Sequence, residues 1–288
     1  MPRSRRETDF YVKALVKLQE GILIMKLNTL QRILRVMPGY LYSRFLKGKK
    51  LTYPPTFIVG CGHSGTSLLL AILGTHSRFS AVPSETSVGF RSHWKMRLNL
   101  WLFDMNAVCA GKSGWIEKTP RHIYCIRRFL KIRPDSKIIL MIRDGRDVAC
   151  SIQKRTGSLE DGIRRWIDDN KAGRQFWEHP NVYVMRYESL IEDFDSTMNS
   201  LLAFLGVDFE PDIREYHKTP KRYYADEIAK PPAAHEEHHR QYRNWQINQP
   251  IFDGRGKWKR MTDEEKKLVK DLAGQMLVEY GYVKDHIW

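Results

Sequence analysis

The run Phe57-Ile-Val-Gly-Cys-Gly-His-Ser-Gly-Thr-Ser-Leu-Leu-Leu leaves this chain few ways to fold. A short β-branched and aromatic segment stops at a polar, glycine-rich loop, and an apolar helical segment over 66–73 follows at once, ending at Gly74. Such a strand–loop–helix junction aims several backbone N–H groups, and the positive end of a helix dipole, at one spot. Gly60, Gly62 and Gly65 present no side chain to block a close approach, while Ser64, Thr66 and Ser67 add hydroxyl donors. The junction predicts an anion cradle, and phosphate is the anion that suits it.

Which phosphate is left open by the loop alone. Gly60-x-Gly62-x-x-Gly65, with Glu85 downstream, fits the dinucleotide fingerprint of an NAD(P)-dependent oxidoreductase. Gly60-x-x-x-x-Gly65-Thr66-Ser67 fits the triphosphate loop of a small-molecule kinase, except that Thr66 stands where that loop has lysine. A sulfonate-donor loop, which lacks the lysine, is the third fit.

The rest of the chain alternates strands with helices, which predicts an α/β fold around a central parallel sheet. Strands are expected at 79–82, at Trp115-Ile116-Glu117, at 137–142 and at 181–186, and helices at 90–108 and 189–205, the latter stopping at Gly206. Another helix is expected after Lys118, capped by Thr119 with Pro120 at its first position. The continuous apolar run at 137–142 marks a strand covered on both faces. The turn-rich stretch 208–257 suits a lid or substrate loop, and Thr262-x-x-Glu265 is a capping box for a last helix ending before Gly281.

A second constellation lies where strand 137–142 ends. Arg143 follows it directly, and Ser151 comes eight residues later in Arg143-Asp-Gly-Arg-Asp-Val-Ala-Cys-Ser151. At the carboxyl end of a parallel strand, Arg143 points into the crevice where open α/β sheets bind ligands. Ser151 then offers a hydroxyl to the same anion, so the pair suits a second, separate phosphate. A nucleoside with phosphates at both ends would fill the two sites. Arg146 is read as a structural ion-pair partner of Asp144 or Asp147.

With both constellations in order, the chain resembles the sulfotransferases that use 3′-phosphoadenosine 5′-phosphosulfate, over residues 57–281. The similarity is greatest to the tyrosylprotein, carbohydrate and bacterial branches. The resemblance implies a P-loop-like central parallel sheet flanked by helices, one domain over 51–288 behind a basic helical arm at 1–50. It assigns Gly62, His63, Ser64, Gly65, Thr66 and Ser67 to the 5′-phosphosulfate, Arg143 and Ser151 to the 3′-phosphate, and Tyr187 to the nucleotide. Arg255, Gly256 and Lys257, in Gly254-Arg-Gly-Lys-Trp-Lys259, fall in the basic loop that closes over the donor. Glu85 becomes the base for an acceptor hydroxyl or amine, with His63 and Lys118 stabilising the charge that develops, and no metal is required. A carbohydrate or glycolipid is the expected acceptor, with a peptide tyrosine or another small molecule as the alternative. Two positions depart from the family: His63 replaces the usual lysine or arginine, and Leu68 replaces a tryptophan that stacks on adenine in the cytosolic branch.

Charge distinguishes the body from the arm. Of the net +15, residues 1–50 hold +9, from 12 Lys/Arg against 3 Asp/Glu. Leu15, Leu18, Ile22 and Met25, then Leu30, Ile33, Leu34 and Met37, recur at helical spacing. They fit a helix packed on the domain, or a basic amphipathic helix resting peripherally on anionic membrane. The charged start predicts no secretory leader, and Ile22-Leu23-Ile24-Met25 is too short to span a bilayer. The four cysteines form no CxxC pair and no glycosylation sequon is present, which suits the cytoplasm. No nucleic-acid partner is expected. His235-Glu-Glu-His-His239 matches a zinc-protease motif, but it follows Pro231-Pro232 in a run polar on every face, which argues against a zinc site.

Overall fold

A computed structural model describes residues 51–219, 244–285 and 287–288. The arm at 1–50 and the His235–His239 motif lie outside the described residues. Strands Thr56–Gly60 (β1), Phe79–Ala81 (β2), Gly114–Lys118 (β3), Lys137–Ile142 (β4) and Val182–Arg186 (β5) form one parallel sheet in the order β2-β3-β1-β4-β5. Every residue of β1 and β3 is buried, as expected of strands covered on both faces. Phe57 of β1 stacks on Phe129 and meets Trp115 of β3 edge-on, which anchors one face. Burying each such ring contributes roughly 1.5–3 kcal/mol.

Helices Thr66–Leu73 (α1), His93–Cys109 (α2), Ile126–Ile132 (α3), Gly145–Thr156 (α4), Leu159–Arg174 (α5), Tyr187–Glu192 (α6), Phe194–Leu205 (α7) and Asp263–Glu279 (α8) flank the sheet. The fold is thus the P-loop-like α/β arrangement expected. The α1 and β4 bounds coincide with those read from the sequence, and Thr262 and Glu265 close their capping box at the start of α8.

Three expectations change. The helix expected from 90 begins at His93, behind a 3-10 turn at Val88–Phe90. The single helix expected at 189–205 is two, because the Asp193 carboxylate accepts from Ser196 N–H at 3.0 Å and starts α7 anew. Pro120 opens a 3-10 turn, Pro120–Cys125, that Thr119 does not cap; its hydroxyl donates to Glu117 Oε1 at 2.6 Å instead.

The sheet order decides what meets at the carboxyl edge. The glycine loop after β1 sits at the centre, with Ile58 in register with Lys118 on β3 and Gly60 in register with Met141 on β4. Glu85, after β2, and Lys118, the last residue of β3, therefore lie on one side of the loop. Arg143 and Tyr187 lie on the other, after β4 and β5.

Candidate active site

The loop after β1 turns on backbone conformations that few side chains tolerate. Gly65 has φ of +89°, and a Cβ there would stand 2.7 Å from the Tyr187 ring. His63, at φ +69°, adopts the left-handed region without being glycine, a conformation that costs on the order of 1–2 kcal/mol. Its Nδ1 shares a 2.8 Å hydrogen bond with Ser151 Oγ on α4, which ties the loop to the helix after β4. Ser64 N–H is used within the loop, donating to Cys61 O at 3.2 Å.

Arg143 is buried and its guanidinium is aimed by backbone. Nη1 donates to His63 O at 3.0 Å and Nη2 to Gly254 O at 2.6 Å, while the group lies over the Tyr187 ring, 4.1 Å from its centroid. Trp166 on α5 donates from Nε1 to Arg143 O at 2.9 Å and so braces the strand end from behind. His63, Gly65, Thr66, Ser67, Arg143, Ser151, Tyr187 and Lys257 all line one cavity of about 220 Å³. Two sequence-separated anion motifs therefore face the same space. Arg143, which lines the cavity, keeps a buried Nε that donates to no described residue, which fits a ligand rich in anionic oxygens; Ser64 Oγ is also buried without a described partner but lies outside the lining. Burial, and then the Arg143 charge beside it, hold the Lys257 ammonium below the ordinary lysine range.

Across the loop, Lys118 Nζ meets Glu85 Oε1 at 2.6 Å. The lysine side chain is fully buried and the glutamate one-third exposed, so Lys118 is no solvated surface lysine. Beneath them lies Glu117, wholly buried on β3. Its Oε1 accepts from Thr86 N–H (3.3 Å), Thr86 Oγ (2.8 Å) and Thr119 Oγ (2.6 Å), and its Oε2 from His122 Nδ1 (3.0 Å). His122 Nε2 accepts from Gly89 N–H at 3.1 Å, which places the imidazole proton on Nδ1. Burial pushes the Glu117 carboxyl up, but the hydrogen bonds from His122, Thr119 and Thr86 outweigh it and hold the group below its usual range. Glu117 thus pins Thr86, the neighbour of Glu85.

Other expected residues stand elsewhere. Arg255 is paired with Asp253 at 2.9 Å and with Glu192, away from the cavity. Gly256 N–H donates to Asp147 Oδ2 at 2.9 Å. From the late basic loop, Lys257 and Gly254 reach the cavity. Arg146 pairs with Asp144 at 2.7 Å and lies against the Trp258 ring. Sequence reading passed over Lys154 and Arg155, which line the cavity from the end of α4 one turn beyond Ser151. It also missed Arg165 on α5, whose guanidinium lies against Gly62.

A family model described as "Sulfotransferase family" matches residues 91–211, the stretch that holds Lys118, Arg143, Ser151 and Tyr187. Over that stretch the chain is similar to the sulfotransferase family. Solved sulfotransferases share its fold. The sulfotransferase domain of the Synechococcus PCC 7002 olefin synthase superposes with a TM-score of 0.53 at 17% identity, covering 78% of this chain and 96% of that one. A mouse sulfotransferase complexed with PAP also gives 0.53, at 15% identity, covering 86% of this chain and 95% of that one. An uncharacterized protein of Aquifex aeolicus is 22% identical over 233 residues, 67% of this chain but only 30% of that protein. The chain thus spans about a third of that curated relative. Among the described residues, no three His, Cys, Asp or Glu side chains are grouped to hold a metal ion, and no helix is long and apolar enough to cross a membrane.

Proposed function

We propose that this chain is a sulfotransferase, moving a sulfuryl group from 3′-phosphoadenosine 5′-phosphosulfate to a hydroxyl of a carbohydrate or other small-molecule acceptor. One observation carries the reading: the glycine loop and the Arg143–Ser151 pair line a single cavity, on adjacent edges of β1 and β4. Arg143 and Ser151 take the 3′-phosphate, the loop takes the 5′-phosphosulfate, and Tyr187 holds the nucleotide with Lys257 beside it. That orientation points the sulfuryl end toward Glu85 and Lys118 on the β3 side.

In-line displacement needs positioning and charge stabilisation more than covalent help from the protein. The acceptor oxygen forms its bond to sulfur as the bond from sulfur to the 5′-phosphate oxygen breaks, and the electron pair leaves with that phosphate. Glu85 takes the acceptor proton. Lys118, 2.6 Å from that carboxylate, orients it and offsets charge on the equatorial sulfuryl oxygens. The test is calorimetric binding of adenosine 3′,5′-bisphosphate, followed by transfer of radiolabelled sulfonate to a panel of oligosaccharides, phenols and tyrosine peptides. Micromolar binding with label on any hydroxyl supports the reading. Absence of bisphosphate binding at millimolar concentration sinks it.

A further inference from the structure

We propose that Arg165 supplies the permanent cation at the 5′ end of the donor, reaching over the glycine loop from a separate helix. This rests on the sulfuryl-transfer reading of the same site. Between Gly60 and Ser67 the loop contains no lysine or arginine, only His63. His63 Nδ1 is joined to Ser151, on the side of the loop where Arg143 stands. The residue before it, Gly62, is where Arg165 arrives. A Cβ at Gly62 would lie 2.8 Å from Arg165 Nη2, 3.2 Å from Cζ and 3.5 Å from Nη1. The guanidinium therefore occupies the space that a side chain at 62 would take, and a Cβ there would push it aside.

The pairing of Arg165 leaves its forked end available. Nε meets Asp169 Oδ2 at a long 3.4 Å, and neither Nη donates to any described residue. Asp169 is itself shared, since its other oxygen takes the Tyr124 hydroxyl at 2.7 Å. Tyr124 belongs to the 3-10 turn that follows Lys118, so the anchor of Arg165 sits on the β3 side of the loop, opposite Arg143. A guanidinium set against a bend whose amides are already partly positive adds to the attraction for an anion between them. Its side chain is 33% exposed, open to the solvent from which a ligand arrives. The two arginines thus divide the nucleotide: Arg143 for the 3′-phosphate and Arg165 for the 5′ group, whose charge rises as sulfuryl leaves. A guanidinium stays charged at every working pH, which a histidine does not.

Calorimetry with two probes, adenosine 3′,5′-bisphosphate and adenosine 3′-monophosphate, separates the ends. Arg165→Ala is expected to weaken the bisphosphate roughly tenfold to a hundredfold, the value of one or two charge-assisted hydrogen bonds, and to change the 3′-monophosphate less than about twofold. Arg143→Ala is expected to weaken both. Arg165→Lys, which keeps the charge but not the fork, should fall between wild type and alanine. Gly62→Ala, which displaces the guanidinium without removing it, should weaken the bisphosphate less than Arg165→Ala does, and adding it to Arg165→Ala should change little, because removing the guanidinium relieves the Cβ contact. Equal losses on both probes, or none on either, overturn the assignment to the 5′ end. Failure of the wild-type protein to bind the bisphosphate would instead refute sulfuryl transfer itself.

Discussion

Glu117→Gln is the substitution that most sharply tests how the carboxyl edge of the sheet is held together at the candidate site. The amide is isosteric with the carboxylate, yet it cannot satisfy the donors around it. All four contacts to Glu117 are donors: three on Oε1 from Thr86 and Thr119, and one on Oε2 from His122. Placing the amide NH2 on the Oε1 side would oppose three donors, so it must face His122. There it meets Nδ1–H; if the imidazole moves its proton to Nε2, the conflict passes to Gly89 N–H, 3.1 Å away. One buried donor–donor contact is unavoidable, at a cost of about 1–3 kcal/mol, and the three remaining bonds lose their charge assistance. The total comes to about 3–5 kcal/mol, the range found when a buried charged network loses one member. For a domain of this size that is a fall in melting temperature on the order of 10 °C. The pH dependence has a definite sign. The folded Glu117 carboxyl lies below its ordinary value, so its contribution is complete above the unfolded carboxylate pKa and is lost as pH falls through the folded one. Scanning calorimetry of both proteins should therefore show the gap widest near neutrality and narrowing below the ordinary carboxylate range. A melting temperature within about 2 °C of wild type, or a gap that stays constant into acid, would refute the proposed network. Because Thr86 neighbours Glu85, we also expect the transfer rate to drop while bisphosphate affinity holds.

Glu85→Gln should lower the rate of sulfuryl transfer about 10²–10⁴-fold with donor affinity nearly unchanged, and an undiminished single-turnover rate would remove Glu85 from the role of base. Gly65→Ala places a Cβ 2.7 Å from the Tyr187 ring at a φ of +89°; a loss of at least about 1–2 kcal/mol in bisphosphate binding is expected, and unaltered calorimetric affinity would contradict the loop geometry. Lys257 has a lowered pKa that a bound phosphate should raise again, so binding takes up protons between the two values. Bisphosphate affinity should accordingly fall as pH rises through the alkaline range, with proton uptake measured in buffers of different ionisation enthalpy; Lys257→Met should flatten that dependence.

Features set by neighbours in the chain were legible without coordinates. The glycine loop between β1 and α1, the helix bounds at Thr66 and Leu73, the apolar strand Lys137–Ile142 and the Thr262–Glu265 box all follow from spacings of a few residues. The break at Asp193 was equally local, an aspartate that caps the following helix, but an unbroken apolar spacing on both sides hid it. Lys118 and Glu117 were different. Nothing in Trp115-Ile-Glu-Lys118 distinguishes a half-exposed strand from one with a buried carboxylate and a buried ammonium, because the groups that satisfy them come from the Thr86 loop and from His122.

Taken alone, the order of residues determines a glycine-rich strand–loop–helix junction, an arginine at the end of a later strand with a serine in the helix after it, and an α/β chain to hold them, since each depends on contacts within a turn or two. Only the folded chain decides which motif lies on which side of the loop, that Arg255 turns away while Lys257 stays, and that Arg165 stands against Gly62. Those outcomes depend on strand order and helix packing across more than 100 positions, where burial and hydrogen bonding choose among arrangements that local propensity leaves equal.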